Sequence, residues 1–280
     1  MTSKEKISKY DALFQSGVEI VSRVGLCNRK EVVGATDEEI NEFSVKHGIT
    51  LPASVWSYFR WLGQSSQLNN GDYNVSPSLQ DYDYALHQAN LKEYWLAGGM
   101  NLKEYINTKN FKVNYDDEIP EDNDGIYTPE INSLMNINDI VFCNYDPFTR
   151  TFEFFNSRQE NPIVYAITAY KNVTTLFSPF TDRFRNVLFM TFVDLISEKK
   201  SSFSSSLANT DLSGELEYIK IYKELFQNSN ELSRAKLKSC REMFCQMNSN
   251  HEKEENRVLS ISEFENGFIN FLSQNNFGVL

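Results

Sequence analysis

The side chains able to carry acid–base or nucleophilic chemistry are few. The chain has three histidines, His47, His87 and His251, and four cysteines, Cys27, Cys143, Cys240 and Cys245. Nucleophilic catalysis needs a base held beside a nucleophile. His47 stands at an expected helix end, where its cation suits the dipole, an ordinary capping role. His87 lies among Tyr82, Tyr84 and Leu86, a packing or surface setting. No C-x-x-C is present. Cys240 and Cys245 are five apart on a helical stretch, so they project differently, and no His pair accompanies them. A zinc site is not expected. The glycine–serine elbow of hydrolases, the phosphate-cradling Walker loop, the H-E-x-x-H pair and the dinucleotide glycine fingerprint are all missing. The residues therefore point to a non-enzymatic protein without cofactor or metal.

The densest functional groups are acids. The stretch YDDEIPEDNDG, 115–125, holds Asp116, Asp117, Glu118, Glu121, Asp122 and Asp124 around Pro120. A calcium-binding EF-hand loop with its glycine at 125 requires an acid at 120 and a glutamate at 131; those positions are Pro120 and Ile131. The stretch cannot be packed core and is expected as an exposed loop. Two readings stand. It is a solvated loop, or it is a phosphate-mimicking patch that meets a basic protein partner and speeds encounter electrostatically.

Composition limits the partners. The 280 residues carry a net charge of −11 and a pI of about 4.9. Nucleic-acid binding needs clustered Lys and Arg to neutralise phosphate, so neither nucleic acid nor an anionic membrane is an expected partner. With 41% hydrophobic and 14% aromatic residues, the chain has ample material for a core, in one large or two small domains. The stretch MTSKEKISKYDALF has no signal-peptide-like apolar core, and no run approaches the ~18 apolar residues of a membrane helix. The expectation is a cytoplasmic protein with reduced thiols.

The elements follow from periodicity. Ile7, Tyr10, Phe14, Val18 and Val21 form one helical stripe within residues 4–24. Thr36-Asp-Glu-Glu39 is a capping box that opens a second helix, with Ile40 and Phe43 inward and Gly48 as its left-handed end. Leu51-Pro52 then starts a third helix, because proline fits a first helical turn. Val55, Phe59 and Leu62 face inward there, and Tyr58 and Trp61 lie on other faces as further core contacts. A helix is expected over 79–96. Three strands follow as an antiparallel meander: 139–145, 151–155 and IVYAIT at 163–168, the first two joined by the turn-forming Asp146-Pro147. Residues 181–199 return to helical spacing. KSSFSSSLANTDLS, 200–213, reads as a Ser-rich linker. Beyond it three helical stripes are expected: one through Leu216 and Tyr222, a weaker one from Ala235 to Met247, and one carrying Phe264, Phe268, Phe271 and Leu272. They form an appended bundle or pack back on the preceding domain.

This order resembles the SMI1/KNR4 (SUKH) superfamily over residues 1–199. The marks are the acidic–aliphatic helix Asp37–His47, Leu51-Pro52, the aromatic helix Val55–Leu62, the hairpin Asp139–Tyr145 with its aromatic return strand Phe152–Asn156, and Pro162-Ile-Val-Tyr165. The family has Asn-Gly after the second of these helices; here Leu62-Gly63-Gln64 follows, and Asn70-Gly71 comes later. The resemblance implies an α+β fold with helices packed on a twisted antiparallel sheet. Residues 214–280 lie outside it as a C-terminal all-helical extension. It also implies function through protein contact, most often as an immunity protein that binds and neutralises a cognate toxin. The alternative is a regulatory scaffold of the same type. No catalytic residues come with the family.

Overall fold

The computed structural model describes residues 3–23, 32–64, 69–70, 73–74, 78–91, 102, 137–147, 151–168, 172–177, 179–197, 218, 221–222, 224 and 231–275. The fold class is mixed α+β. The chain divides into two compact units. One comprises Thr36–Phe59 and Pro77–Arg183; the other comprises Met1–Ala35, Arg60–Ser76 and Phe184–Leu280.

The first unit is built on a sheet. Helix α2 (Asp37–His47) starts as its sequence requires: the Glu39 amide donates to Thr36 Oγ1 at 3.2 Å, and the Thr36 amide donates to Glu39 Oε2 at 2.8 Å. It stops at Gly48, whose φ of +61° places it in the left-handed region that glycine enters without a Cβ penalty. Helix α3 (Ala53–Leu62) begins one residue later than expected: Pro52 caps it, and its carbonyl accepts the Trp56 amide at 2.8 Å. A second capping box, Ser78 with Asp81, opens α4 (Leu79–Asn90). The expected extension of α4 to 96 fails because Leu91 leaves helical geometry at φ −68°, ψ 136°.

Four strands, β3 (Ile140–Asp146), β4 (Thr151–Asn156), β5 (Val164–Thr168) and β6 (Asn172–Phe177), form an antiparallel sheet in sequential order. The expected meander is present, with one strand more than the sequence reading assigned. A bulge between Phe142 and Asn144 shifts the β3–β4 register. Two-residue strands β1 (Asn69–Asn70) and β2 (Tyr73–Asn74) pair antiparallel as a separate two-stranded sheet; Gly71 of the expected Asn70-Gly71 turn lies outside the described residues.

Aromatic rings link helices to sheet. Phe59 meets Phe43 at 6.2 Å and Tyr82 edge-on at 4.7 Å; Tyr82 meets Phe155 of β4 at 6.4 Å. Tyr58 and Phe155 both meet Phe180. Tyr58 is thus a core contact, as its place in the helix implied. Phe142, Phe154 and Tyr165, which share the other face of the sheet, are also buried; across the strands Phe142 meets Phe154 tilted at 5.8 Å, and Phe154 stacks on Tyr165 at 5.6 Å.

Among its described residues the second unit combines helices with the short strands β1 and β2. It gathers α1 (Ser3–Arg23), most of α5 (Phe180–Ser197), α6 (Glu231–Glu255) and α7 (Ile261–Gln274). Tyr10, Phe14 and Val18 of α1 are buried as the stripe required. Phe14 packs edge-on against Phe184 at 5.0 Å, above Gly17, where a Cβ would lie 2.7 Å from that ring. The Ser16 hydroxyl accepts the Ile261 amide at 2.9 Å, and Lys9 donates to Asn256 at 3.1 Å. The C-terminal helices α6 and α7 therefore pack with α1 within this unit. The expected linker 200–213 lies outside the described residues.

Candidate functional site

Among the described residues, three places concentrate polar chemistry. The first is inside the sheet-containing unit. Cys143 from β3, Glu153 from β4, Tyr82 from α4 and Arg183 from α5 meet under the helices. Arg183 donates from Nη2 to Glu153 Oε2, with 8% and 16% of the two side chains exposed. Burial works against the Arg183 charge, but the Glu153 carboxylate outweighs it and holds the guanidinium protonated. Burial, reinforced by Glu153, pushes the Cys143 thiol far above its usual range. Burial does the same to the Tyr82 phenol, with Cys143 adding to it. A thiol held neutral is neither nucleophile nor metal ligand. This cluster fixes one ion pair beside a neutral thiol and a neutral phenol.

The second is inside the helical unit. Arg185 reaches Glu252 at 2.6 and 3.3 Å, donates to the Leu259 carbonyl at 2.9 Å, and lies 4.4 Å over the Phe264 ring. Glu252 also accepts the Leu259 amide at 2.7 Å, which ties the turn between α6 and α7 to its carboxylate. One helical repeat before Cys245, Arg241 pairs with Glu265 through two bonds of 2.5 and 2.6 Å. Its Nε donates to Asn186 Oδ1 at 3.2 Å. Three rings, Phe189, Phe264 and Phe268, face the guanidinium at 4.4 to 4.8 Å. Tyr222 donates to the same Glu265 oxygen. Burial and then Glu265 raise the Tyr222 phenol well above its usual range. Burial opposes the Arg241 charge, and Glu265 overrides it. Every charge is paired, bonded and sealed under aromatic rings, so the network is architectural.

The third is on the surface of the sheet-containing unit, where α2 ends against α4. Lys46 Nζ and His47 Nε2 approach Asp83 Oδ1 at 2.6 and 2.7 Å. A carboxylate only accepts, so Nε2 carries the hydrogen here. The His47 ring also packs on Phe43 at 4.8 Å. The Lys46 bond, helped by His47 and opposed by burial, holds the Asp83 carboxyl below its usual range. Apolar side chains stand out from the same two helices and from the residue that ends α4: Val45 is 81% exposed, Tyr84 48% and Leu91 40%. Tyr84 leans on Tyr145 at 6.0 Å, and Tyr145 stacks on Phe152 at 4.3 Å, so Tyr84 is braced from the sheet. The site thus sets exposed apolar side chains on the same elements as a paired Lys–His–Asp group.

No family model, curated protein or solved structure matches this chain.

The residues singled out from the sequence distribute as follows. Asp116, Asp117, Glu118, Glu121, Asp122 and Asp124 lie outside the described residues. His47 takes the helix-end place expected of it, with Asp83 as an added partner. His87 is exposed, and His251 pairs with Glu255 at 3.3 Å. Cys240 and Cys245 do project differently, the first half-buried and the second buried. Trp61, half-buried, donates from Nε1 to Asp11 at 3.3 Å. Among the described residues, no three of His, Cys, Asp and Glu gather as a metal site, and no helix is long and apolar enough to cross a membrane. Sequence reading missed Arg185, Arg241, Glu252 and Glu265. A signal existed for two of them: Arg241 falls in step with Leu237 and Cys245, and Glu265 with Ile261, Phe268 and Leu272, so each charge sits on a buried stripe.

Proposed function

We propose that this chain is a non-enzymatic protein-binding module of SMI1/KNR4 (SUKH) type, acting in the cytosol as an immunity protein that neutralises a toxin. The observation that carries the reading is the element order in the sheet-containing unit. A boxed acidic helix, a Leu-Pro cap and an aromatic helix precede an antiparallel meander whose second strand is TFEFFN. The exposed Val45 on α2, Tyr84 on α4 and Leu91 just after it give this unit apolar surface suited to a protein contact.

In this reading the acids at 116, 117, 118, 121, 122 and 124 steer a basic toxin domain toward the chain. Steering raises the association rate more than it slows release, and it weakens as salt shortens the Debye length to about 8 Å at physiological strength. The test is stopped-flow association with the captured toxin domain, across a salt series, for the wild type and a variant with all six acids changed to Asn or Gln. The variant is expected to associate at least tenfold more slowly at low salt and with a flatter salt dependence. An unchanged rate overturns the role of the acids.

A further inference from the structure

Helix α6 carries soft metal donors at a helical repeat. The chain holds 4 Cys, 6 Met and 3 His, and five of these thirteen fall between 240 and 251. Four of the five share one face. At about 100° per residue, Cys240, Met243, Met247 and His251 lie within an arc of about 80°. Cys245, the fifth, is on the buried side.

The shared face is open at three of these positions, with Cys240 half-buried. Met243 is 56% exposed and Met247 57%, although methionine is usually buried, and His251 is 57% exposed. The inward positions of this stretch are taken by Leu237, Arg241, Cys245 and Asn248. The two methionines therefore do not serve the core, contrary to the weak stripe that the sequence reading ran through Met247. Glu255 supplies a second feature. Its carboxylate takes the His251 Nε2 contact at 3.3 Å, which leaves Nδ1 for a ligand. A carboxylate on the far nitrogen is the usual outer partner of a metal-binding imidazole.

We propose that this face of α6 binds a soft monovalent cation, Cu(I), through the thioethers of Met243 and Met247, with the Cys240 thiolate and the His251 imidazole as flanking donors. Thioether and thiolate sulfur favour Cu(I) over the harder divalent ions. A d10 monovalent ion imposes no fixed geometry and accepts two or three donors. Residues three and four apart on a helix have Cβ atoms about 5–6 Å apart. Two metal–sulfur bonds, each near the ~2.3 Å of Zn–S, bridge such a pair. Each consecutive pair in the series 240, 243, 247, 251 has that spacing, and Met243–Met247 is central.

The probe is Ag(I), a redox-inert ion of the same charge and softness, supplied as the nitrate in chloride-free buffer. The full chain is used with Cys27 changed to Ser throughout, so that this thiol does not compete. Native mass spectrometry is expected to show one Ag(I) per chain. Affinity should fall at least tenfold in the Met243→Leu/Met247→Leu variant, whose exposed, volume-conserving changes leave the fold intact by circular dichroism. Independently, with [13C]methyl-methionine, the methyl signals of Met243 and Met247 should shift on Ag(I) addition while the other four stay in place. No bound ion, equal binding by the double variant, or shifts confined to other methionines overturns the proposal.

Discussion

Changing Glu265 to Gln removes the only anionic partner that contacts Arg241 among the described residues. The pair is nearly sealed, with 3% of the Arg241 and 1% of the Glu265 side chain exposed. The variant leaves a guanidinium that water cannot reach, facing a neutral amide, Asn186 and three rings. Breaking one side of a buried pair costs about 3–5 kcal/mol. The rings return some of this, since a desolvated cation–π contact contributes on the order of 2 kcal/mol. Gln also retains an acceptor for one Arg241 donor. The net loss is therefore about 3 kcal/mol. On a urea m-value of roughly 3 kcal/mol/M, the unfolding midpoint falls by about 1 M. The companion is Arg241→Met with Glu265→Leu. Removing both charges avoids the orphan, but Tyr222 and Asn186 lose partners at about 1–3 kcal/mol each. Hydrophobic replacement of a buried pair recovers about 1–4 kcal/mol. At the middle of these ranges the double variant should lie roughly 1.5 kcal/mol below wild type and above the single. Because the chain has two compact units, the assay pairs urea unfolding by circular dichroism with amide exchange of α6 and α7, which reports on the helical unit alone. A single variant costing under about 1 kcal/mol, or a double variant worse than the single, refutes the reasoning.

Other consequences follow from the same geometry. In native protein, thiol labelling read by peptide mass spectrometry should modify half-buried Cys240 well before Cys143 and Cys245, which react only on unfolding; fast labelling of Cys143 would contradict its neutral, sealed state. Gly34→Ala should cost about 3 kcal/mol or more in thermal or urea unfolding, because its Cβ would lie 1.7 Å from the Arg60 carbonyl oxygen, and backbone cannot step aside as a side chain does. Asp83, held below its usual range chiefly by Lys46, contributes stability that is present above its unfolded value near 3.9 and is lost as pH falls through the lower folded value. Asp83→Asn should therefore melt below wild type at pH 6 and match it near pH 2, with a small gap because 42% of the side chain is exposed.

Much of the local structure was legible, and the reason is local chemistry. Thr36 with Glu39, Gly48, and Leu51-Pro52 each settle a helix end within four residues, and the structure keeps all three. Strands β3, β4 and β5 announce themselves by apolar and aromatic runs between turn residues. β6 did not, because NVTTLF mixes polar β-branched residues with apolar ones and has no turn dipeptide of its own. α6 read as weak because inward positions hold Arg241 and Asn248, so counting apolar residues understates its buried face. The charges themselves were illegible as core. Arg185 meets Glu252 across 67 residues, and Arg241 meets Glu265 across 24, and nothing in either neighbourhood names its partner. Only the stripe each charge occupies hinted at burial. The α2–α4 surface was likewise unseen, since exposure of Val45 and Tyr84 depends on which face each helix turns inward.

The central claim is that this chain works by holding one protein partner. Its most direct test is an affinity pull-down with the full chain from the lysate of the organism that encodes it, at low and high salt, read by quantitative mass spectrometry. The account predicts one stoichiometric partner that carries a toxin domain and is weakened by salt. Several abundant housekeeping partners, or none when a toxin is being expressed, would contradict it and favour a regulatory scaffold.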